Sequence, residues 1–320
     1  MTKINLGNNG PLVSKLGLGC MRMSPVWGGP ANDESESIAT IQAALDNDIN
    51  FLNTGDFYGA GHNELLVGKA IKGRRDDAFI SVKFGGLVYA NKFIGLDLRP
   101  ASIKNFISYS LVRLGIDTID LYQPCRMDGS VPVEDTIGTV ADLIKEGKVK
   151  HLGVSEITAE QLRKAHSIYP VTALEIGYSL ADRQIETDLL PTAKELGIGV
   201  VAFANTAEGL LTGDMKAPLA AGDYQNHFTR FQGNNLIMNL EKVEVLKQMA
   251  KDKGYTPTQL AIAWVNAQGD HIMPLVSMSR RKRLPENMQA MEITFTAAEM
   301  ETLNTTFAQG AIWGGTYLQR

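Results

Sequence analysis

The sequence has little cysteine, and its two residues of that type, Cys20 and Cys125, lie at no close spacing, so they build no disulfide framework. The chain opens Met-Thr-Lys without an apolar signal segment, and together these readings predict a cytoplasmic protein. Histidine is also sparse: His62, His151, His166, His227 and His271 are scattered rather than set at ligand spacing, which leaves a metal site without support. Long apolar runs are missing, since no stretch approaches the ~20 uncharged apolar residues a membrane span needs. Nor is there an excess of basic charge. The 31 Lys and Arg against 35 Asp and Glu give a net charge of −4, so no basic face exists of the kind that neutralising phosphates requires, and a nucleic-acid partner is not expected. The local exception is Arg280-Arg281-Lys282-Arg283.

What is present is ordinary globular material: 320 residues, 44% hydrophobic and 21% charged, enough for a large core. Short apolar runs alternate with amphipathic stretches from end to end, the pattern of βα units around a parallel sheet. Strands are predicted at 16–19, 50–53, 79–83, 119–123, 151–154, 173–176, 199–203 and 272–276. Helices are predicted at 34–47, 63–71, 101–114, 133–146, 159–167, 184–196, 240–253, 257–268 and 282–288. A turn at Asn8-Asn9-Gly10 precedes them, and a tail at the C-terminal end is expected near the barrel mouth. An open doubly wound sheet would carry a glycine-rich loop running into a helix after its first strand. Leu16-Gly17-Leu18-Gly19-Cys20-Met21-Arg22 does not run directly into one, so the expectation is an α/β fold of one domain, 1–320, a (β/α)8 TIM barrel. The Gly-, Asn- and Asp-rich stretch 212–236 reads as a long loop after the seventh strand.

Two segments carry the chemistry. Asn53-Thr54-Gly55-Asp56-Phe57-Tyr58-Gly59 ends one apolar run and Ser81-Val82-Lys83-Phe84-Gly85 ends the next. On neighbouring parallel strands they bring a phenol and an ammonium to the same edge, where the cation lowers the phenol's pKa and makes it a proton donor. Reactive groups of a barrel gather at the C-terminal strand ends, which is where Asn53, Tyr58, Lys83 and Cys125 fall. Taken singly, Tyr58 reads as a rim aromatic and Lys83 as a strand-end lysine reaching solvent.

At these residues the chain resembles the aldo-keto reductase family, whose pattern is Asp-Thr-Ala-x-x-Tyr-Gly, then Gly-His-Asn-Glu, then Lys ending the third strand. Gly61-His62-Asn63-Glu64 fits that pattern, while Asn53 stands where Asp is usual and Cys125 where His is usual. The resemblance implies that Tyr58 donates a proton to a carbonyl oxygen while a nicotinamide hydride attacks the carbon, with Lys83 stabilising the phenolate. Asn53 can accept from Lys83 without supplying charge. With no carboxylate at that position to oppose burial, Lys83 is expected to have a lower pKa than in a typical family member, with Asp56 a partial compensation. Cys125 is read as a buried inert thiol rather than a nucleophile, since no histidine stands near it in the pattern.

The same resemblance implies the cofactor contacts. Ser155 and Glu156, in Gly153-Val154-Ser155-Glu156, and Glu175, where Gln is usual, would hold the nicotinamide carboxamide, and Gly177 replaces a larger polar residue. Phe203 would stack on the nicotinamide ring, which needs only a flat π face, or else is a core aromatic. Asn205 opens the altered loop Asn205-Thr206-Ala207-Glu208-Gly209, where an acidic Glu208 would be unwelcome beside a pyrophosphate. Ser277, Arg280, Arg281, Arg283 and Asn287 resemble the adenosine-phosphate clamp, and arginine's planar fork favours NADP(H). The other reading of this run is a solvated basic face. Trp27, Met21 and Tyr89 are candidates for the substrate pocket, with Cys20, Trp313 and Tyr317 beside them. The partner expected is a small carbonyl compound. Asn53 and Cys125 keep two further readings open: a nucleotide-binding barrel with weak or no reductase activity, acting as sensor or auxiliary subunit, and a barrel in which a neutral Lys83 forms a Schiff base.

Overall fold

The computed structural model describes residues 1–25, 33–90 and 92–316. Trp27 and Tyr317 lie outside the described residues.

Eight parallel strands close on themselves: β1 (Gly17–Gly19), β2 (Phe51–Gly55), β3 (Phe79–Phe84), β4 (Ile119–Pro124), β5 (Val149–Ser155), β6 (Ala173–Gly177), β7 (Gly199–Phe203) and β8 (Ile272–Ser277). Each pairs with the next in chain order, and β8 returns to β1 with Val276 opposite Leu18. This is the (β/α)8 barrel that the alternation predicts. Around it lie α1 (Glu34–Asp46), α2 (His62–Ile71), α3 (Pro100–Leu114), α4 (Val133–Lys145), α5 (Ala159–Ile168), α6 (Leu189–Glu195), α7 (Gly233–Lys253) and α8 (Pro257–Asn266). Two more, α9 (Leu284–Gln289) and α10 (Ala297–Thr306), follow β8. None of the helices among the described residues is long and apolar enough to cross a membrane.

The helix starts follow local chemistry. Thr158, Thr256 and Thr296 open α5, α8 and α10 with reciprocal bonds to Gln161, Gln259 and Glu299, satisfying backbone donors that have no partner inside the helix. Pro100 and Pro257 begin α3 and α8, where a missing N–H costs nothing.

Four elements differ from expectation, the first being α10, which the predicted helices do not include. The helix expected over 184–196 is broken into a 3₁₀ turn (Gln184–Glu186) and α6, because Pro191 is tolerated in a first turn but not in a helix interior. Helix α7 begins at Gly233, inside the stretch read as loop, and Asn239 on its first half ties it down by donating to Arg230 O at 3.1 Å and Trp313 O at 2.9 Å. A second hairpin (Gly86–Tyr89 with Lys92–Leu96) rises directly after β3.

The barrel floor is sealed. An N-terminal hairpin, Lys3–Asn5 against Leu12–Ser14, inserts Leu6 and Val13 into one apolar cluster with Phe51, Phe79, Leu121, Ala173, Val201, Met273 and Leu275. Gly7 adopts φ +82°, and a Cβ there would stand 2.7 Å from Gly197 O, so only glycine lets the hairpin approach this closely.

Candidate active site

Alternation along the strands decides what lies above that floor. Inward positions recur every second residue, so Phe51, Asn53 and Gly55 of β2 face the axis, as do Phe79, Ser81 and Lys83 of β3, Leu121 and Gln123 of β4, and Ala173 and Glu175 of β6. The lowest layer is apolar. Next comes a polar layer of Asn53, Ser81, Gln123 and Glu175, all buried, with Lys83 at its upper side.

These groups bond one another, with Gln123 Oε1 left without a hydrogen-bond partner among the described residues. Lys83 Nζ donates to Asn53 Oδ1 at 2.5 Å and to Glu175 Oε1 at 2.7 Å. Asn53 Nδ2 donates to Glu175 Oε2 at 2.7 Å and to Ser81 Oγ at 3.1 Å. Gln123 Nε2 donates to the same Glu175 oxygen at 2.5 Å and to Ser81 Oγ at 3.2 Å. A buried carboxylate and a buried ammonium are costly apart, and here each is paired and further hydrogen-bonded.

The premise behind a lowered Lys83 pKa, that no carboxylate opposes burial, therefore does not hold. Burial does pull it down, and is the largest single effect, but the Glu175 carboxylate and the Tyr58 phenol outweigh it and leave Lys83 above the ordinary lysine value. The compensating acid is Glu175, not Asp56. The Asp56 carboxyl is raised well above its usual range by burial and by Glu64, with Arg113 opposing. Arg113 Nη1 bonds Glu64 Oε2 at 2.8 Å, so this acidic pair belongs to a separate cluster under α3. Schiff-base chemistry requires a neutral lysine, which Glu175 opposes.

Tyr58 is carried by a tight turn (Tyr58–Gly61) after β2 and is buried. Lys83 Nζ sits 5.3 Å from the centre of its ring. Gly55 lies beside the ring, where a Cβ would stand at contact distance, 3.4 Å, from Tyr58 Cε2. Phe57 closes the other side edge-on, its ring centre 4.8 Å from that of Tyr58. Behind the turn, Asn63 Oδ1 accepts from Thr54 Oγ1 at 2.7 Å while its amide donates to Cys20 O at 2.9 Å and Ser24 Oγ at 2.8 Å. Asn63 thereby ties the loops after β1 and β2 together. Burial raises the phenol pKa most, Lys83 lowers it, Glu175 raises it, and the net direction is upward. The group stays protonated at neutral pH with a cation at its side.

Cys125 follows β4 and is buried, with its N–H donating to Phe84 O at 2.9 Å. Burial, with Asp56 adding, pushes its thiol up to about 12 against Arg126 and Lys83.

The cofactor candidates fall at the strand ends β5 to β8. Ser155 ends β5, buried. Glu156 holds φ 51°, a strained value for a non-glycine residue, and its Oε1 accepts from Gly177 N at 3.0 Å. Glu175 is engaged by Lys83, Asn53 and Gln123, as above. Phe203 ends β7, partly buried against the inner apolar cluster. Asn205 donates to Ala202 O at 2.9 Å and Tyr178 O at 3.3 Å. Glu208 is not a bare charge: its carboxylate lies 3.9 Å from Arg230 Nη1, and fully buried Arg230 also forks onto Asp182 at 2.5 and 2.9 Å. Ser277 ends β8 exposed, Asn287 is buried in α9, and between them Arg281 pairs with Glu36 at 2.8 Å and Arg283 with Glu286 at 3.0 Å. No ion pair is described for Arg280, which acts on Glu36 through its charge. Met21 begins the turn after β1, while Tyr89 is 76% exposed on the β3 hairpin. Among the described residues no group of three or more His, Cys, Asp or Glu could hold a metal ion.

The sequence reading missed Ser81 and Gln123 as members of the site. Both were within reach of it, because Ser81 lies two residues before Lys83 and Gln123 two before Cys125, on the same strand faces.

The fold and this cluster define a (β/α)8 barrel with a buried Lys83–Glu175 pair beside Tyr58, and comparison with known proteins names its class. The Aldo/keto reductase family profile matches residues 15–306. The chain belongs to the aldo-keto reductase family, whose members use a nicotinamide dinucleotide to act on small carbonyl compounds. A probable aldo-keto reductase 1 of Glycine max is 35% identical over 316 residues, 98% of this chain and 91% of its own. Among solved structures, the glycerol dehydrogenase AKR11B4 from Gluconobacter oxydans is similar with TM-score 0.87 and 28% identity, over 96% of this chain and 95% of that one. The holo form of aldo-keto reductase AKR11C1 from Bacillus halodurans gives TM-score 0.79 and 29% identity over 96% of each chain.

Proposed function

We propose that this chain, acting as a single barrel domain in the cytoplasm, reduces small aldehydes or ketones to alcohols with NADPH, and that Tyr58 supplies the proton. The observation that carries the reading is the placement of a buried, protonated phenol beside a charged lysine at the barrel mouth. A carbonyl oxygen gaining negative charge is stabilised by a nearby cation and quenched by a donor held in reach, and Lys83 and Tyr58 supply one each. NADPH, when bound, supplies the hydride. Phe203 would flank its flat ring, Ser155 and Glu156 would line the carboxamide side, Asn205 would border the phosphate loop, and the Ser277 to Asn287 segment would take the adenosine end. The arginines of that segment suit a polyanion, and Arg230, shared with Asp182, partly offsets the Glu208 carboxylate that would otherwise repel it. Arg281 and Arg283 are the groups that favour the 2′-phosphate and hence NADPH over NADH. The two buried thiols fit a reducing compartment.

The test is NADPH oxidation with a panel of aldehydes and ketones, repeated with Tyr58→Phe. Loss of kcat by at least about 100-fold is expected, the scale of a positioned acid, with NADPH binding retained. Undiminished turnover by the variant would overturn the reading.

A further inference from the structure

Resting on the reductase reading above, we propose that Glu175 is the positioning residue of Lys83: it holds the ammonium charged and aimed at Tyr58, and does not serve as a carboxamide acceptor. Both of its oxygens are committed. Oε1 accepts from Lys83, and Oε2 accepts from Asn53 Nδ2 and Gln123 Nε2. Oε2, taking two amide donors, has little capacity left for a third, and Oε1 keeps at most one acceptor site beside its bond to the ammonium.

The same geometry explains why residue 53 is an amide. Asn53 accepts from Lys83 through Oδ1 and donates to Glu175 through Nδ2, so it must be donor and acceptor at once. A carboxylate there would face the Glu175 carboxylate across 2.7 Å with no donor between them. The amide at 53 and the acid at 175 are therefore one arrangement and not two independent departures. The layer keeps one negative charge against one positive charge, with the negative charge on β6.

Turned around, the amide and the acid should be interchangeable as a pair and not singly. The experiment measures kcat, KM and pH profiles for the parent, Glu175→Gln and the transposed Asn53→Asp/Glu175→Gln, with NADPH affinity by fluorescence. Glu175→Gln should lower kcat on the order of 100-fold, since an unsupported lysine no longer assists the acid. Its alkaline limb should move to lower pH, because burial then acts on Lys83 without the opposing Glu175 carboxylate. The transposed variant should regain kcat to within about tenfold of the parent and return the limb, even if Glu175→Gln alone folds poorly. The proposal is overturned if Glu175→Gln keeps the parent kcat and only raises the KM for NADPH. A transposed variant no better than Glu175→Gln overturns it equally. A nitrogen-15 NMR titration of Lys83 without substrate or nucleotide separates the two readings. If the parent reduces no carbonyl but Lys83 loses its proton at lower pH in Glu175→Gln than in the parent, the counter-charge role stands and the reductase reading falls.

Discussion

Glu175 meets Lys83 at 2.7 Å from three strands away around the barrel wall, inside a shell of amide and hydroxyl partners. A buried ion pair of this kind adds little net stability over a well-packed apolar pair, because both ions were desolvated to make it. Its worth lies in fixing where a positive charge stands. Side-chain freedom at Lys83 is removed by two bonds on one side and the Tyr58 ring on the other.

Cofactor choice should reside in Arg283. Its guanidinium is exposed and bound only at one edge by Glu286. Arg283→Ala should raise the KM for NADPH roughly tenfold to a hundredfold, the worth of one hydrogen bond to a charged group, and leave the KM for NADH nearly unchanged. Steady-state kinetics with both nucleotides checks this, and an equal effect on the two would remove the residue from the 2′-phosphate.

The thiols should be inert. Burial lifts Cys20 to about 12 and Cys125 likewise to about 12, so at pH 8 the thiolate fraction of either is on the order of 1 in 10,000. Iodoacetamide should leave the native chain unlabelled and modify both cysteines after unfolding in urea, as read by intact mass. Rapid native labelling at Cys125 would restore the nucleophile reading.

Asp56 should make stability depend on pH. Its folded pKa lies well above the usual carboxylate value, by burial first and Glu64 second, whereas unfolded aspartate titrates near ~3.9. The folded chain then binds more protons than the unfolded one, so stability from this group is full below pH ~4 and falls as pH rises toward the folded pKa. Asp56→Asn should flatten that fall and raise stability at neutral pH relative to the parent. Urea unfolding of both proteins at pH 4 and pH 7.5 measures it, and identical pH slopes would contradict it.

Much of the barrel was legible because each strand's apolar run is local. The predicted strand over 199–203 matches β7 end for end, and the others are within two residues at either end. Tyr58 and Lys83 were legible for the same reason, each being read from its own short segment. What escaped depends on distance or on tertiary support. The Lys83 to Glu175 pair spans 92 residues and arises only when eight registers are fixed together. Helix α7 starts with Gly233-Asn234-Asn235, poor helix formers that read as loop until Asn239 finds its carbonyl partners. Helix α10 is polar enough to hide its period, though Thr296 and Glu299 already carried the signal of its start.

The sealed floor has a consequence for proton traffic. Below Lys83 the polar layer rests on Phe51, Phe79 and Leu121 and on Leu6 and Val13 of the N-terminal hairpin, side chains that carry no group able to relay a proton downward. A phenol that has given up its hydrogen is then recharged from above, through the opening by which an alcohol product departs. Product exit and restoration of the acid would then share a single doorway, so neither could be complete while that doorway is blocked.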